Sequence, residues 1–411
     1  MVEGRQLIIK NAQLPNQSAT TDILIKDGKI SELGEISGKG IDACGMLVTP
    51  GFVNIHTHLD KADLLSKMSP YDFGKTLEEN RELLKKFKRN YTVDEIVNRA
   101  ATVIWEFAEN GVTAIRTQVD VDSTGGLAPL NAIMKLKKDS PVKLQICAFP
   151  QEGVLNESAR ERVEEALDVG ADLLGGLPLV EKDVENQLQH IDVLFEIARK
   201  YDVDLDVQVD ESNNPEDYML PYLAEKTIEN KWYGRVTATH CISLSKVDDN
   251  VAKETIRLVK EANMNVNVTP SANMITRFQN PDDVHARGYN SITLVRELAS
   301  AGVNVCIGTD NIRDIFYPMG NTSMLREMHV AAAATRMTSE EDPEALFKMA
   351  SVNGAKNMGL KYGLEIGCRG DLIVLDAKNF RDALNSKETI PYVIREGKII
   401  CESNLVVKHG R

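Results

Sequence analysis

The chain has no apolar run approaching the roughly 20 residues that a helix needs to cross a bilayer. Its first ten residues, Met1 to Lys10, lack the charged, apolar and small-residue order of a secretory signal. Positive charge is in short supply. The 48 Lys and Arg residues face 61 Asp and Glu, leaving a net charge of −13. Such a surface excludes nucleic-acid backbone and anionic membranes as main partners. Cysteine is sparse and scattered: Cys44, Cys147, Cys241, Cys306, Cys368 and Cys401, with no C-x-x-C pair. That usage fits a reducing cytoplasm, with Cys147 and Cys306 as small buried hydrophobes inside apolar strands. No glycine-rich phosphate turn follows an early strand, which argues against a doubly wound nucleotide-binding sheet. Histidine is rare as well, with seven in 411 residues.

Against that scarcity, two of the seven stand two positions apart in V-T-P-G-F-V-N-I-H-T-H-L-D-K-A-D, Val48 to Asp63. The apolar run Gly51–Ile55 reads as a short buried strand ending in His56-Thr57-His58. In a strand, residues i and i+2 point to one side, so both imidazoles can converge on one divalent cation.

The rest of the chain is organised around this strand. Residues 5–50 read as short strands with an Asp27-Gly28 hairpin turn, too few to hold a core of their own. From residue 51, strands alternate with helices. The strands are Phe52–His56, Val112–Val119, Val142–Pro150, Ala171–Gly176, Val203–Val209, Arg235–His240, Met264–Thr269 and Val303–Gly308. Helical patterns fill most of the intervals, the longest over Tyr91–Asn110 and Val184–Tyr201. Eight strands with helical crossovers predict an α/β fold, a (β/α)8 barrel. Strand patterns return in Leu364–Leu375 and around Glu396-Gly397. The expected organisation is therefore a barrel over 51–359, flanked by a small β-sandwich that residues 1–50 and 360–411 build together.

In such barrels chemistry gathers at the C-terminal strand ends. Six of these ends carry polar residues. They are His56 and His58; Arg116 to Asp120; Gln151-Glu152; Gln208 to Glu211; Thr239-His240; and Thr309-Asp310-Asn311. Histidines with a carboxylate can hold a divalent ion that lowers the pKa of water, and a further carboxylate can move protons. His56, His58 and Asp310 are the expected ligands and Glu211 the expected proton carrier. His240 could serve as a ligand or could orient the attacking hydroxide.

The set H-T-H, F-P-Q-E-G, V-D-E, T-H and G-T-D-N, with the tail Leu364 to Leu375, resembles the amidohydrolase superfamily. Its nearest branch looks like the bacterial cytosine deaminases and the N-isopropylammelide aminohydrolases. The resemblance implies one divalent metal, zinc or iron, on His56, His58 and Asp310. It implies that Gln151 binds the amide edge of a substrate ring, that Glu211 and Asp310 pass protons and that His240 orients hydroxide. Metal-bound hydroxide would then deaminate a small cytosine-like heterocycle. An N-alkylaminotriazine amidohydrolase and a cyclic-amide hydrolase are the alternatives within hydrolases. A metal-free binding paralogue is the alternative outside them. The family's habit also implies a homo-oligomer. No lysine ends the fourth strand (Gly175-Gly176-Leu177-Pro178), so no carbamylated bridge between two metals is expected.

Three positions depart from the pattern. Gln208 stands where the family has a strand-5 histidine, and can ligate only through a neutral oxygen. It is expected near the metal all the same. Gln118 replaces a histidine on strand 2. Asn311 stands where a second acid follows the metal aspartate, which alters the expected donor pattern toward substrate.

Overall fold

The computed structural model describes residues 6–68, 77–275, 291–385 and 388–404. The outermost parts of the two terminal segments, 1–5 and 405–411, lie outside the described residues.

Strands β1 (Gln6–Ala12), β2 (Thr21–Lys26), β3 (Lys29–Gly34) and β4 (Ile41–Asp42) form one sheet in the order β3-β2-β1-β4. Strand β5 (Leu47–Pro50) belongs instead to a second sheet with β14 (Leu372–Leu375), β15 (Tyr392–Arg395) and β16 (Lys398–Glu402). The two sheets close on a shared apolar layer that includes Ile9, Ile23 and Ile25 from one and Val48, Leu372, Val374 and Ile394 from the other. Segments from both ends of the chain therefore complete one core.

Between them lie β6 (Phe52–Thr57), β7 (Val112–Asp120), β8 (Lys143–Phe149), β9 (Leu173–Gly176), β10 (Asp204–Val209), β11 (Val236–His240), β12 (Asn265–Val268) and β13 (Asn304–Ile307). All eight pair in parallel and in chain order. A parallel bridge between Thr57 and Asp310 brings the first strand against the end of the last. The fold is the expected (β/α)8 barrel beside antiparallel sheets.

The helices form where apolar residues recur at helical spacing behind a capping side chain. In Val93–Glu109, Ile96, Ala100, Val103, Ile104 and Phe107 are buried, and Thr92 caps the first turn by accepting from the Glu95 amide. Four α-helices among the described residues escaped the sequence reading, two of them short, Pro270–Met274 and Phe380–Asn385. Leu220–Glu229 links β10 to β11, and Leu77–Lys88 belongs to an insertion after β6.

Two glycines decide how β6 is seated. A Cβ on Gly51 would come within 2.3 Å of Thr113 Oγ1, so only glycine lets the chain pass from β5 into β6. A Cβ on Gly308 would stand 2.8 Å from His56 Cβ and 2.9 Å from its backbone nitrogen. The last strand can therefore lie directly against the first, and that proximity places Asp310 beside the histidines.

Candidate metal centre and active site

The floor beneath the site is a buried ion pair. Arg116, named in sequence as a polar strand end, turns down the barrel instead. Its guanidinium donates to Asp206 at 2.9 Å, Thr237 at 3.1 Å and the Asn357 carbonyl at 3.1 Å. Asp206 also accepts from Thr239 at 2.9 Å. Asp206 thus faces the barrel interior, and by strand alternation so does Gln208 two residues on. Gln208 is buried, and its amide nitrogen has no partner among the described residues.

Above this floor the first and last strands converge. The Thr309 and Asp310 amides both donate to the His56 carbonyl, at 3.1 and 2.9 Å, and Thr57 Oγ1 donates to the Asp310 carbonyl at 2.8 Å. Asn54 completes the clasp, accepting from the Thr309 amide and donating to its hydroxyl. Asp310 adopts a left-handed φ of 65°. Such backbone costs roughly 1–3 kcal/mol and persists only where its surroundings impose it. Asp210 and His240, at φ 57° and 77°, repeat this conformation at the ends of β10 and β11.

The result is a buried cluster. His58 Nε2 lies 3.4 Å and His56 Nε2 3.8 Å from Asp310 Oδ1. His240 Nδ1 is 4.0 Å from the other Asp310 oxygen, and its Nε2 is 3.8 Å from Glu211 Oε2. Burial disfavours the charged form of His56 and holds its pKa far below the ordinary value. Burial would raise the Asp310 carboxyl. The His58 hydrogen bond and the nearby His56 and His240 rings outweigh it and keep the group well below the usual carboxylate range.

These donors fit a divalent cation. His56 Nε2 is buried without any hydrogen-bond partner among the described residues, an expensive arrangement for a nitrogen with nothing to bind. The 3.4 and 3.8 Å separations match donors about 2 Å from one ion, which in a tetrahedral shell stand roughly 3.4 Å apart. Gln118 lies against the other nitrogen of His56 at 3.4 Å, and its own oxygen is unpartnered. A half-turn of that amide would set the oxygen on Nδ1–H, fixing the proton there and leaving Nε2 its lone pair. His58 Nδ1 receives the Lys61 ammonium at 3.2 Å, so the His58 proton sits on Nε2 toward Asp310. A cation on Nε2 would need the neutral ring in its other tautomer, with the proton moved to Nδ1 and the Lys61 ammonium turned aside.

The remaining expected residues surround this cluster. Gln151 sits in the turn just after β8, partly exposed, beyond Phe149, whose ring lies 5.7 Å from that of His58. Glu152, its neighbour, ties the turn to the β7 loop by accepting from Ser123 at 2.7 Å and Thr124 at 2.9 Å. Asn311 is buried and donates to Asp314 Oδ2 at 2.6 Å, while Asp314 Oδ1 accepts from the Phe316 and Tyr317 amides. Asp314 takes up the amide N–H side, so Asn311 keeps an oxygen acceptor to offer. Strand alternation alone would have Asp210 continue the inward face of Gln208. Its left-handed backbone turns the carboxylate instead onto the Met219 and Leu220 amides, at 2.6 and 3.2 Å, where it caps the next helix.

Several residues here were missed in sequence. Lys61 is buried, 2.6 Å from Asp120 Oδ1, and Lys88 pairs with Asp120 and Asp122. Asn273 contacts His240, and Glu327 is a fully buried acid accepting from the Ser271 amide at 3.0 Å. Only the stretch H-T-H-L-D-K hinted at Lys61. Asn273 and Glu327 carry no local signal.

Residues 47–400 match the amidohydrolase family. The chain is 30% identical to N-isopropylammelide isopropyl amidohydrolase of Pseudomonas sp. (strain ADP), over 99% of this chain and all of that protein. Among solved structures, 5-methylcytosine deaminase from Klebsiella pneumoniae, liganded with 5-fluorocytosine, superposes with a TM-score of 0.90. It shares 30% identity, covering 98% of this chain and 99% of that one. N-isopropylammelide isopropylaminohydrolase from Burkholderia multivorans gives a TM-score of 0.83 at 26% identity, covering 97% of this chain and 98% of that one.

Proposed function

We propose that this chain, which belongs to the amidohydrolase family and is a hydrolase of C–N bonds, removes the exocyclic amino group of a small cytosine-like heterocycle. The observation that carries the reading is the meeting of an ionised carboxylate, Asp310, with an unpartnered buried nitrogen of His56 and with His58, opposite the His240–Glu211 pair. A zinc or iron ion on His56, His58 and Asp310, with Gln208 behind them, would supply water acidic enough to attack near neutral pH.

The chain's own groups do the rest. Glu211 is partly exposed and faces His240 across 3.8 Å, near enough for one water or substrate atom to hydrogen-bond with both. It takes a proton from the attacking water and delivers it to a ring nitrogen. Asp310 accepts the second proton and passes it to the amino group, which departs as ammonia when the C–N bond breaks. His240 holds the water by hydrogen bonding. Gln151 reads the amide edge of the ring, and Asn311 offers its oxygen to a ring N–H. Held by Asp314, that amide presents a single neutral acceptor.

A second reading, an N-alkylaminotriazine substrate, keeps the same acid–base set. It is favoured by Asn311, whose neutral amide suits a different ring edge from an acid. The product separates the two: ammonia from a cytosine-like ring, an alkylamine from a triazine. Glu211→Gln should lower kcat by ~10²–10⁴-fold with metal content unchanged, since the residue carries protons and is not a ligand. Near-normal turnover in that variant would remove Glu211 from the reaction.

A further inference from the structure

We propose that Asn273 is a positioning residue that sets which nitrogen of His240 carries its proton, and so keeps His240 a hydrogen-bond donor and not a metal ligand. The inference rests on the reading of His240 given above and goes beyond it, to the group that enforces that role.

The argument runs through donors that cannot change sign. After β12 the chain enters a short helix, Pro270–Met274. The backbone N–H of Thr269 lies 3.3 Å from Asn273 Oδ1. A backbone N–H can only donate, so the amide oxygen of Asn273 is fixed on that side. The NH2 end then faces His240 Nδ1 at 3.0 Å, and it too can only donate. Thr269 Oγ1 stands 3.2 Å from the same nitrogen, with a hydroxyl free to donate. His240 Nδ1 is therefore an acceptor, and the single proton of the neutral ring sits on Nε2, on the Glu211 side. Asp310 Oδ2, at 4.0 Å from Nδ1, is too far to hold a proton there.

This settles a competition that distances alone leave open. Donor atoms of His56, His240 and Asp310 lie within 4.8 Å of one another, close enough for one ion. Yet the His240 nitrogen on the Asp310 side is the one Asn273 occupies. Its lone pair is spent, and the other nitrogen is protonated and points to the reacting side. The short helix is anchored independently, since the Ser271 amide donates to buried Glu327 at 3.0 Å. Asn273 is thus held in place directly by the Thr269 amide and, through its helix, by Glu327, contacts that involve neither His240 nor any metal.

Asn273→Asp is the decisive change. The carboxylate keeps an oxygen for the Thr269 N–H but presents an acceptor to His240, so Nδ1 must gain a proton. The experiment is a long-range 1H–15N correlation spectrum of metal-loaded protein carrying ring-15N histidine, with His240 assigned by its loss in His240→Gln. The expected spectrum shows an unprotonated Nδ1 and protonated Nε2 in the parent, and a protonated Nδ1 in Asn273→Asp. A protonated or metal-shifted Nδ1 in the parent would overturn the proposal, whether or not the variant folds. In Asn273→Ala, kcat should fall about 10–100-fold, the range seen when a supporting hydrogen bond is removed. KM and metal content should stay near the parent's. Undiminished turnover in Asn273→Ala would overturn Asn273 as the positioning residue, since Thr269 still faces Nδ1, while undiminished turnover in His240→Gln would instead remove His240 from the reaction, so the two readings fail separately.

Discussion

Two buried charged clusters sit side by side at the mouth of this barrel, and they are built on opposite plans. At the end of β7, Asp60, Asp120 and Asp122 meet Lys61 and Lys88, every one of them buried. Burial would raise Asp120, but the two lysines overcome it and drive the carboxyl well below its usual range. Burial alone would lower Lys88, and the two aspartates raise it instead. The cluster is closed on itself: two lysines answer Asp120 and Asp122, and burial raises Asp60, the third acid, toward its neutral form. Across Lys61, which touches both, lie His56, His58 and Asp310. There the carboxylate has no ammonium or guanidinium partner among the described residues, and one imidazole nitrogen is left bare. Charged groups taken out of water must find partners or shift toward neutrality. The first cluster finds them within the chain and acts as a staple, pinning helix Leu77–Lys88 over the barrel. The second leaves a position for a cation from solution. The difference between a strut and a site is thus whether the charges are already matched.

The sharpest way to break this comparison is Lys88→Met. It should strand buried Asp122, leave Asp120 with Lys61 alone and cost about 3–5 kcal/mol of stability, the usual penalty for removing one partner of a buried pair. Metal content per folded molecule should not change. Urea unfolding with parallel elemental analysis checks both. If metal is lost in proportion to stability, the two clusters are one unit and the distinction falls.

A buried acid matched by no cation should behave differently again. Asp210 is capped only by backbone N–H groups, and burial raises its carboxyl to about 7. The folded protein therefore keeps this proton where the unfolded chain, with an ordinary carboxyl, has lost it. Folding then binds a proton between about pH 4 and pH 7, and this group's contribution to stability falls as pH rises through that window. Asn at this position has no proton to lose. The stability of the parent relative to Asp210→Asn should be greater at pH 5 than at pH 8, by an amount on the order of 1–3 kcal/mol. A pH-independent difference in urea midpoints would mean that Asp210 titrates normally.

The smallest expected effect lies inside the open cluster. Gln208→His should add an imidazole facing the barrel interior and slow metal loss to a chelator, by about tenfold. If the variant holds metal no better than the parent, Gln208 lies outside the coordination sphere and its unpartnered amide serves substrate instead.

Sequence patterns exposed one of these clusters and concealed the other. The open site was legible because its members stand at predictable places: His56 and His58 two apart on one strand, Asp310 after the last strand, His240 and Glu211 at strand ends between. Barrel geometry turns those positions into neighbours without further information. Lys88, by contrast, lies in E-L-L-K-K-F-K-R, which reads as a solvated charged helix face. It is buried because Asp120 and Asp122, more than thirty residues on, need a cation, and no local pattern encodes that need. Asn273 is hidden in the same way, as an ordinary amide in T-P-S-A-N until Thr269 fixes its orientation. Helix Leu220–Glu229 was missed because Pro221 at its first turn resembles a loop signal.

The seam between first and last barrel strands carries a consequence for how the molecule comes into being. Thr57 and Asp310 meet although they stand 253 positions apart, and β5, which runs straight into β6, finds its antiparallel neighbour only in β14. During synthesis the histidine-bearing strand leaves the ribosome early but has nothing to close against until nearly the whole chain has followed. Contacts so distant along the chain form slowly, and the apolar strand edges stay exposed meanwhile. The residues that would hold the cation are therefore among the last to be assembled. A nascent chain arrested before Asp310 would be left with histidines, no carboxylate to join them and an unsealed barrel edge.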